Sequence, residues 1–233
     1  MEFLHIPAAD FFMGADDIEY AKPEHLVYQL DYDFYTARFP LTNRQYARVG
    51  REIGKPIIMS RGKMTHPLVN ISWYGAQQYI AWLNKKHGSE LLEGFRFCLP
   101  SEAEWEKAAR GPEGNVYPWG NIFDKEKCNT KESGIGGTSV VGKYSPQGDS
   151  FYGVADMAGN VWEWTRSLWR FQYPYRFDDG REDENRRKHT ASVFRGGSTF
   201  DEWKFVRSAF RGNSGADGYS GSIGFRVCVS PTP

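Results

Sequence analysis

The ten residues from Asp156 to Thr165, DMAGNVWEWT, restrict the fold of this chain more than any other stretch. They enclose a Gly-Asn step in apolar and aromatic residues, and Asp156 and Glu163 are the only acids among them. Trp162 and Trp164 are spaced by two, so in a strand they point to one face while Val161 and Glu163 point to the other. A carboxylate taken out of water beside indoles needs a partner: an arginine, a set of N–H donors or a metal. A rigid turn in which the Glu accepts backbone hydrogen bonds meets that need without any chemistry.

The 233 residues suffice for one large domain or two small ones, and no Pro/Ser-rich linker or low-complexity run divides them, which predicts a single domain over 1–233. Hydrophobic residues make up 40% and aromatics 16%, enough for a core rich in Trp, Tyr and Phe. With such a core, the 25 glycines and 12 prolines point to turns and not to disorder. Lys and Arg balance Asp and Glu at 29 each, which removes the electrostatic case for nucleic acid or anionic membranes as partners. No apolar run approaches the ~18 residues of a membrane span, so no membrane insertion is expected. The start, MEFLHIPAADFFMG, has neither a basic n-region nor a long apolar h-region, so no signal peptide is visible in it. A cytoplasmic chain and one exported without such a signal both remain open. Cys98, Cys128 and Cys228 lack CxxC spacing and read as small buried hydrophobes or free thiols. Whether Cys98 pairs with Cys228 is not readable from sequence.

Residues 3–14 read as a strand, a turn and a second strand, with His5 a structural residue. Residues 23–35 alternate partly, as one half-buried strand would. Pro40 to Asn43 offers an N-cap to a short helix over about 43–52, ended near Gly54. Ser72 caps a helix over about 73–87 whose Trp73, Ala76, Tyr79, Ile80 and Leu83 form a core stripe, and Gly88 stops it. In LPSEAEWEKAARG, Ser101 and Glu104 form a capping box and Gly111 supplies a left-handed stop; the charges read as that cap and a solvated face. Residues 117–152 are loop-rich, and ordered loops of that length call for bound calcium or a dense hydrogen-bond network. Residues 165–192 mix aromatics with charge and read as a surface insertion, mobile over about 178–190. There Arg186, Arg187 and Lys188 are offset by Asp178, Asp179, Glu182, Asp183 and Glu184, which argues against sulfate or nucleic acid.

DMAGNVWEWT, the earlier LPSEAEWEKAARG and YPWG, and the later FRGGS and GFRV occur in an order that resembles the formylglycine-generating enzyme / sulfatase-modifying-factor family, over nearly the whole chain. The resemblance implies an α+β, loop-rich variant of the C-type lectin fold with small antiparallel sheets and a few helices; it does not by itself imply the enzyme's activity. It also implies two calcium sites. The first would use Asn129 with Thr130 and Ile135, through the Asn side chain and backbone carbonyls. Where some relatives offer an Asp, this chain has Ser133 beside Glu132. The second would use the carboxylates of Asp156 and Glu163 and the carbonyls of Gly159 and Val161, a set that suits a hard cation taking roughly six to eight oxygens.

The family's oxidase activity needs two cysteines, at the third and eighth positions after the Ser of RGGS, to bind copper and exchange with the substrate thiol. In this chain RGGS is Arg195 to Ser198, and those positions hold Asp201 and Val206, neither of which can do thiol chemistry. The branch that joins sulfur to histidine derivatives holds a non-haem iron in a His-rich N-terminal domain, whereas the five histidines here are scattered. No Ser-His-Asp order, phosphate-binding Gly loop or HExxH is present. The expectation is a noncatalytic protein with no copper. The alternatives are a sulfatase-modifying-type enzyme of altered chemistry and an inactive paralogue.

Residues 199–222, TFDEWKFVRSAFRGNSGADGYSGS, offer a binding surface instead. Gly, Ser, Asn and Tyr are residues of adaptable paratopes, and Phe200, Trp203, Phe205, Phe210 and Tyr219 are more aromatics than a solvated loop needs. The stretch resembles the variable region of the variable proteins of diversity-generating retroelements, which is randomised at adenines of Asn-type codons before GFRV. Most residues from 199 to 222 are reachable that way; Glu202, Trp203 and Lys204 are not. The resemblance implies a variable region over 195–228. Its contact set would be Thr199, Phe200, Asp201, Trp203, Phe205, Phe210, Asn213, Ser214, Asp217, Tyr219, Ser220 and Ser222, facing a protein or other macromolecule. Arg195, Arg207, Arg211 and Arg226 would be framework donors beneath it.

Overall fold

The two strands expected at the start form as β1 (Phe3–Ile6) and β2 (Phe11–Met13) in the computed structural model, which describes residues 1–17, 24–27, 30–54, 63–169, 173–185 and 190–232. The single strand expected over 23–35 is divided. β3 (His25–Val27) pairs with β2, and the chain then turns and enters a different sheet as β4 (Phe34–Ala37). Asp33 holds that turn: its carboxylate accepts from the Ala8 N–H at 2.7 Å and lies 2.9 Å from His5 Nε2.

α1 (Asn43–Gly50) is capped by Thr42, whose hydroxyl accepts from the Gln45 N–H while Gln45 Oε1 accepts from the Thr42 N–H at 2.8 Å. α2 (Trp73–His87) starts at Ser72 as expected, and all five stripe residues are buried. Burial of side chains such as Ile80 and Leu83 stabilises by about 1.5–3 kcal/mol each, and more for Trp73, which also donates its indole N–H to the Thr165 carbonyl at 2.9 Å. Gly88 does not stop the helix in a left-handed conformation; its φ is −60° and it leads into a 3₁₀ turn over Gly88–Glu90.

β5 (Phe95–Cys98) leads to α3 (Glu102–Arg110), where the capping box forms in both directions: the Glu104 N–H donates to Ser101 Oγ at 3.0 Å, and Glu104 Oε2 accepts from the Ser101 N–H at 2.7 Å. Gly111 ends the helix with φ +66°. The solvated face expected for this helix does not exist. Every residue of α3 is buried, charged ones included, because the helix lies between the first strands and the third sheet.

That sheet contains β6 (Trp162–Leu168), β7 (Ala191–Arg195), β8 (Arg211–Gly215) and β9 (Ile223–Gly224) in the order β8-β7-β6-β9. β6 and β9 are parallel, with Trp162 opposite Ile223 and Glu163 opposite Gly224. The last strand, β10 (Cys228–Pro231), inserts between β4 and β5 to complete a sheet of order β1-β4-β10-β5. Cys228 stands opposite Cys98 there, and both thiols are free. One apolar cluster joins α1, α2 and the third sheet around Trp73, Tyr79, Trp164 and Phe225; a second joins β1–β4 to α3 around Phe34 and Trp105.

The surface insertion expected over 165–192 is corrected in its described part. Residues 173–185 pack onto β6: Tyr175 and Arg181 are buried, Glu182 accepts from Ser167 Oγ at 2.7 Å, and the Arg181 carbonyl accepts from the Leu168 N–H at 2.8 Å. Tyr175 supplies the reason, since its ring has the Arg181 guanidinium 4.2 Å above its centroid. Arg186, Arg187 and Lys188 lie outside the described residues. No helix among the described residues is long and apolar enough to cross a membrane.

Candidate functional site

The two positions where thiol chemistry would be carried out are built into the scaffold. Asp201 closes its own turn, its Oδ2 accepting from the Ser198 N–H at 2.9 Å and from Ser198 Oγ at 2.5 Å. Val206 is fully buried, and Gly197 approaches it so closely that an added Cβ would lie 2.4 Å from its Cγ1. The three cysteines do not compensate. All are buried and free, and burial pushes the Cys98 thiol up to about 11 and that of Cys128 up to about 12. Buried thiols held protonated are poor nucleophiles and poor copper ligands.

Beneath these turns lies a set of ion pairs between α3 and the third sheet. Arg211 forks onto Glu102 at 2.6 and 2.7 Å. Arg195 bonds Glu106, whose other oxygen accepts from the Gly14 N–H at 2.8 Å. Arg166 forks onto Glu104 at 2.8 and 3.0 Å. Burial opposes ionisation of Glu102, but Arg211 and Arg195 outweigh it and hold its carboxyl below the ordinary range. Arg195, Arg211 and Arg226 are thus the framework donors expected. Arg207 is not: it reaches Asp17 at 2.9 Å near the surface and lies over the Trp203 ring. Glu163, which receives Arg226, was marked in the sequence as an acid needing a partner, but the acids that receive Arg166, Arg195 and Arg211 were hidden there. The one signal for them is that EAEWEKAAR places three glutamates at every second position, which at about 100° per residue sets Glu104 opposite Glu102 and Glu106, so that they cannot share one solvated face.

The residues implied for calcium are gathered in the same region, and several of the oxygens they would offer already accept hydrogen bonds within the protein. Both oxygens of buried Glu163 are used: Oε1 accepts from Arg226 Nη2 at 2.7 Å, and Oε2 from Arg226 Nε at 2.6 Å and Trp105 Nε1 at 2.8 Å. Asp156 Oδ2 accepts from the Gly142 N–H at 2.7 Å, and the Gly159 carbonyl accepts from the Val161 N–H at 2.9 Å. A carboxylate bound to a guanidinium fork and an indole does not fit a metal as well, so this donor set does not suit calcium. In the first set, Asn129 Oδ1 lies 3.0 Å from Ser133 Oγ and 3.1 Å from Thr199 Oγ1, and the Thr130 carbonyl accepts from Ser133 Oγ at 2.7 Å. Those oxygens are all neutral, hydroxyl protons serve them, and Ile135 sits exposed beside them. Burial pushes the Asp156 carboxyl up to about 6, and the Gly142 N–H and Arg226 only partly oppose it. The Gly-Asn step has a plain steric cause. A Cβ on Gly159 would lie 2.3 Å from the Asn129 carbonyl oxygen, which the Asn160 N–H must reach at 2.8 Å.

The contact set expected over 199–222 separates by burial. Thr199 and Phe210 are buried, Thr199 against Asn129 and Gly137, Phe210 against Trp162 and Phe205. Phe205, Ser214 and Asp217 are half-buried, as are Ser220 and Ser222, whose hydroxyls lie 2.9 Å apart. Phe200, Trp203, Asn213 and Tyr219 are exposed. They fall in different places. Phe200 and Trp203 sit on the turn that bonds residues 131–132, through Lys131 N–H to the Asp201 carbonyl at 3.0 Å and Trp203 N–H to Glu132 at 3.0 Å. Asn213 is on the edge strand β8, and Tyr219 precedes the Ser220 carbonyl that accepts from the Asn70 N–H at 3.0 Å.

The sulfatase-modifying factor enzyme 1-like domain matches residues 1–231. A formylglycine-generating enzyme of Thermomonospora curvata is 34% identical over 188 residues, 71% of this chain and 56% of that protein. The inactive C-alpha-formylglycine-generating enzyme 2 of Bos taurus is 40% identical over 121 residues, 47% of this chain and 36% of that protein. The matched stretch thus spans from about a third to just over half of these relatives. Among solved structures, PvdO from Pseudomonas aeruginosa superposes with a TM-score of 0.81 at 26% identity, over 98% of this chain and 94% of that one. Treponema denticola variable protein 1 superposes with a TM-score of 0.78 at 20% identity, over 98% and 95%, a likeness of fold. With its motifs in order and its α+β, C-type-lectin-like architecture, the chain belongs to the sulfatase-modifying-factor, or formylglycine-generating-enzyme, family.

Proposed function

We propose that the protein is a noncatalytic binding member of this family that presents the exposed part of residues 199–222 to a protein or other macromolecular partner. One observation carries the reading: both positions that carry the family's thiols hold residues used for folding, Asp201 as the cap of its own turn and Val206 in the core. The exposed Phe200, Trp203 and Tyr219 supply aromatic contact area, and the half-buried serines supply adaptable hydrogen bonds. In this reading buried ion pairs, and not calcium, hold the scaffold under the surface. The fold shared with a variable protein supports a segment able to change its partner by changing its exposed side chains.

Two experiments test it. Incubation of the purified protein with copper and a peptide carrying CxPxR is expected to leave the peptide cysteine intact; its conversion to formylglycine would overturn the reading. Sequencing the DNA around the stretch that encodes residues 195–228 is expected to reveal a near-copy differing at adenines, beside a reverse transcriptase. The binding surface itself is tested by grafting different side chains at 200, 203, 213 and 219. Unchanged binding to every identified partner would end the proposal.

A further inference from the structure

Two cavities open side by side on the face of the first sheet that α2 covers only in part. The larger, of about 330 Å³, is walled by Phe3, Phe97, Tyr79 and Trp82, with Gln45 and Arg48 of α1 on its rim. The second, of about 310 Å³, lies beyond Phe3 and is walled by Tyr35, Leu91 and Phe95. Phe3 and Glu90 line both, so they form one elongated apolar groove with a polar end. Each chamber alone is of the size that holds a small ligand.

The polar end carries donors with no acceptor among the described residues. The Arg48 guanidinium makes no ion pair among the described residues and is exposed. Gln45 spends its amide oxygen on Thr42, at 2.8 Å from its N–H and 2.7 Å from its hydroxyl, which leaves the amide NH₂ as a second free donor. Tyr79 is 2% exposed and stacked on Tyr46 at 5.9 Å, and its hydroxyl has no hydrogen-bond partner among the described residues. Tyr79 lines the larger cavity, where the oxygen of a ligand can accept from its hydroxyl. The acids nearby do not compete for these donors. Glu90 is 2.8 Å from His87 Nδ1, and Glu52 accepts from Trp82 Nε1 at 3.0 Å with Lys86 at 3.8 Å.

We propose that this groove binds a medium-chain alkyl carboxylate, its carboxylate on Arg48, Gln45 and Tyr79 and its chain along Phe3 toward Leu91 and Phe95. A linear chain suits two chambers in series, and a carboxylate suits a guanidinium beside an amide NH₂ and a hydroxyl.

Titrating the full chain with decanoate by calorimetry and tryptophan fluorescence tests this. Saturable binding is expected, with a fluorescence change lost in Trp82→Phe. Arg48→Met should weaken decanoate about tenfold or more, Tyr79→Phe should weaken it by a smaller factor, and neither should change the affinity for decanol. Arg48 is exposed and unpaired, so its variant keeps the fold, which circular dichroism checks. Absence of saturable binding, equal affinity for decanoate and decanol, or an Arg48→Met variant that binds as well as the native chain would each overturn the proposal.

Discussion

Asp156→Asn separates a calcium ligand from a strained acid. Asp156 has φ +56°, a left-handed conformation that Asn tolerates as well as Asp, and its Oδ2 accepts from the Gly142 N–H, a role the Asn amide oxygen keeps. The substitution therefore removes charge and little else. Burial raises the carboxyl from 3.8 to about 6, which corresponds to about 3 kcal/mol between its protonated and ionised forms. Since the folded-state value lies above the unfolded one, this group's contribution to stability is full below about pH 4 and is lost as pH rises through about 6. The difference in stability between Asp156→Asn and the native chain should accordingly move in the variant's favour between pH 4 and 7, by up to about 3 kcal/mol. That figure is an upper limit, because the residue keeps a partly open flank where solvent screens its charge. At roughly 2–4 °C per kcal/mol for a chain of this size, a relative gain of about 5 °C in Tm is expected. Calorimetry at both pH values, in EDTA and in millimolar calcium, reads it. The reasoning fails if the variant loses stability at neutral pH only when calcium is present, since Asp156 would then be an ionised ligand.

Glu163→Gln leaves Arg226 buried without its counter-charge and should cost about 3–5 kcal/mol, seen as a lower urea midpoint; a loss below about 1 kcal/mol would show that the pair is solvated. A thiol reagent should label no cysteine of the native chain and all three after denaturation, and native labelling at Cys128 would show an open route into the cluster it forms with Val206. Phe200→Ala with Trp203→Ala should alter stability by no more than about 0.5 kcal/mol each while abolishing partner binding; a large drop in Tm would place these rings in the core.

Local chemistry was legible wherever the cause and its effect lie within one helical turn. Thr42, Ser72 and Ser101 cap their helices because the hydroxyl and the N–H it serves are three residues apart. The stripe from Trp73 to Leu83 was equally readable, because helical spacing alone selects the buried face. The charges of α3 were not, because their meaning depends on Arg166, Arg195 and Arg211, which lie 62, 89 and 109 residues from the glutamates they bond. The same limit applies to Tyr175 and Glu182, whose place on β6 follows from contacts with Ser167 and Leu168 and not from their own charge-rich surroundings. In the candidate surface, composition identified the stretch but not its facing: Thr199 and Phe210 look like contact residues and are core, since Asn129 and Trp162 arrive from elsewhere to cover them.

The insertion of β10 between β4 and β5, with Arg195 fixed on Glu106 and Arg226 on Glu163, bears on how this chain tolerates changes of length. Both feet of the intervening stretch are set by partners outside it, so their separation does not depend on what lies between. Extending such a loop costs only about 0.6 kcal/mol of closure entropy per doubling of its length. Insertions at 217–221, where the chain is exposed or half-buried, would then cost tenths of a kcal/mol each. A scaffold held in this way can carry loops of different lengths at 217–221.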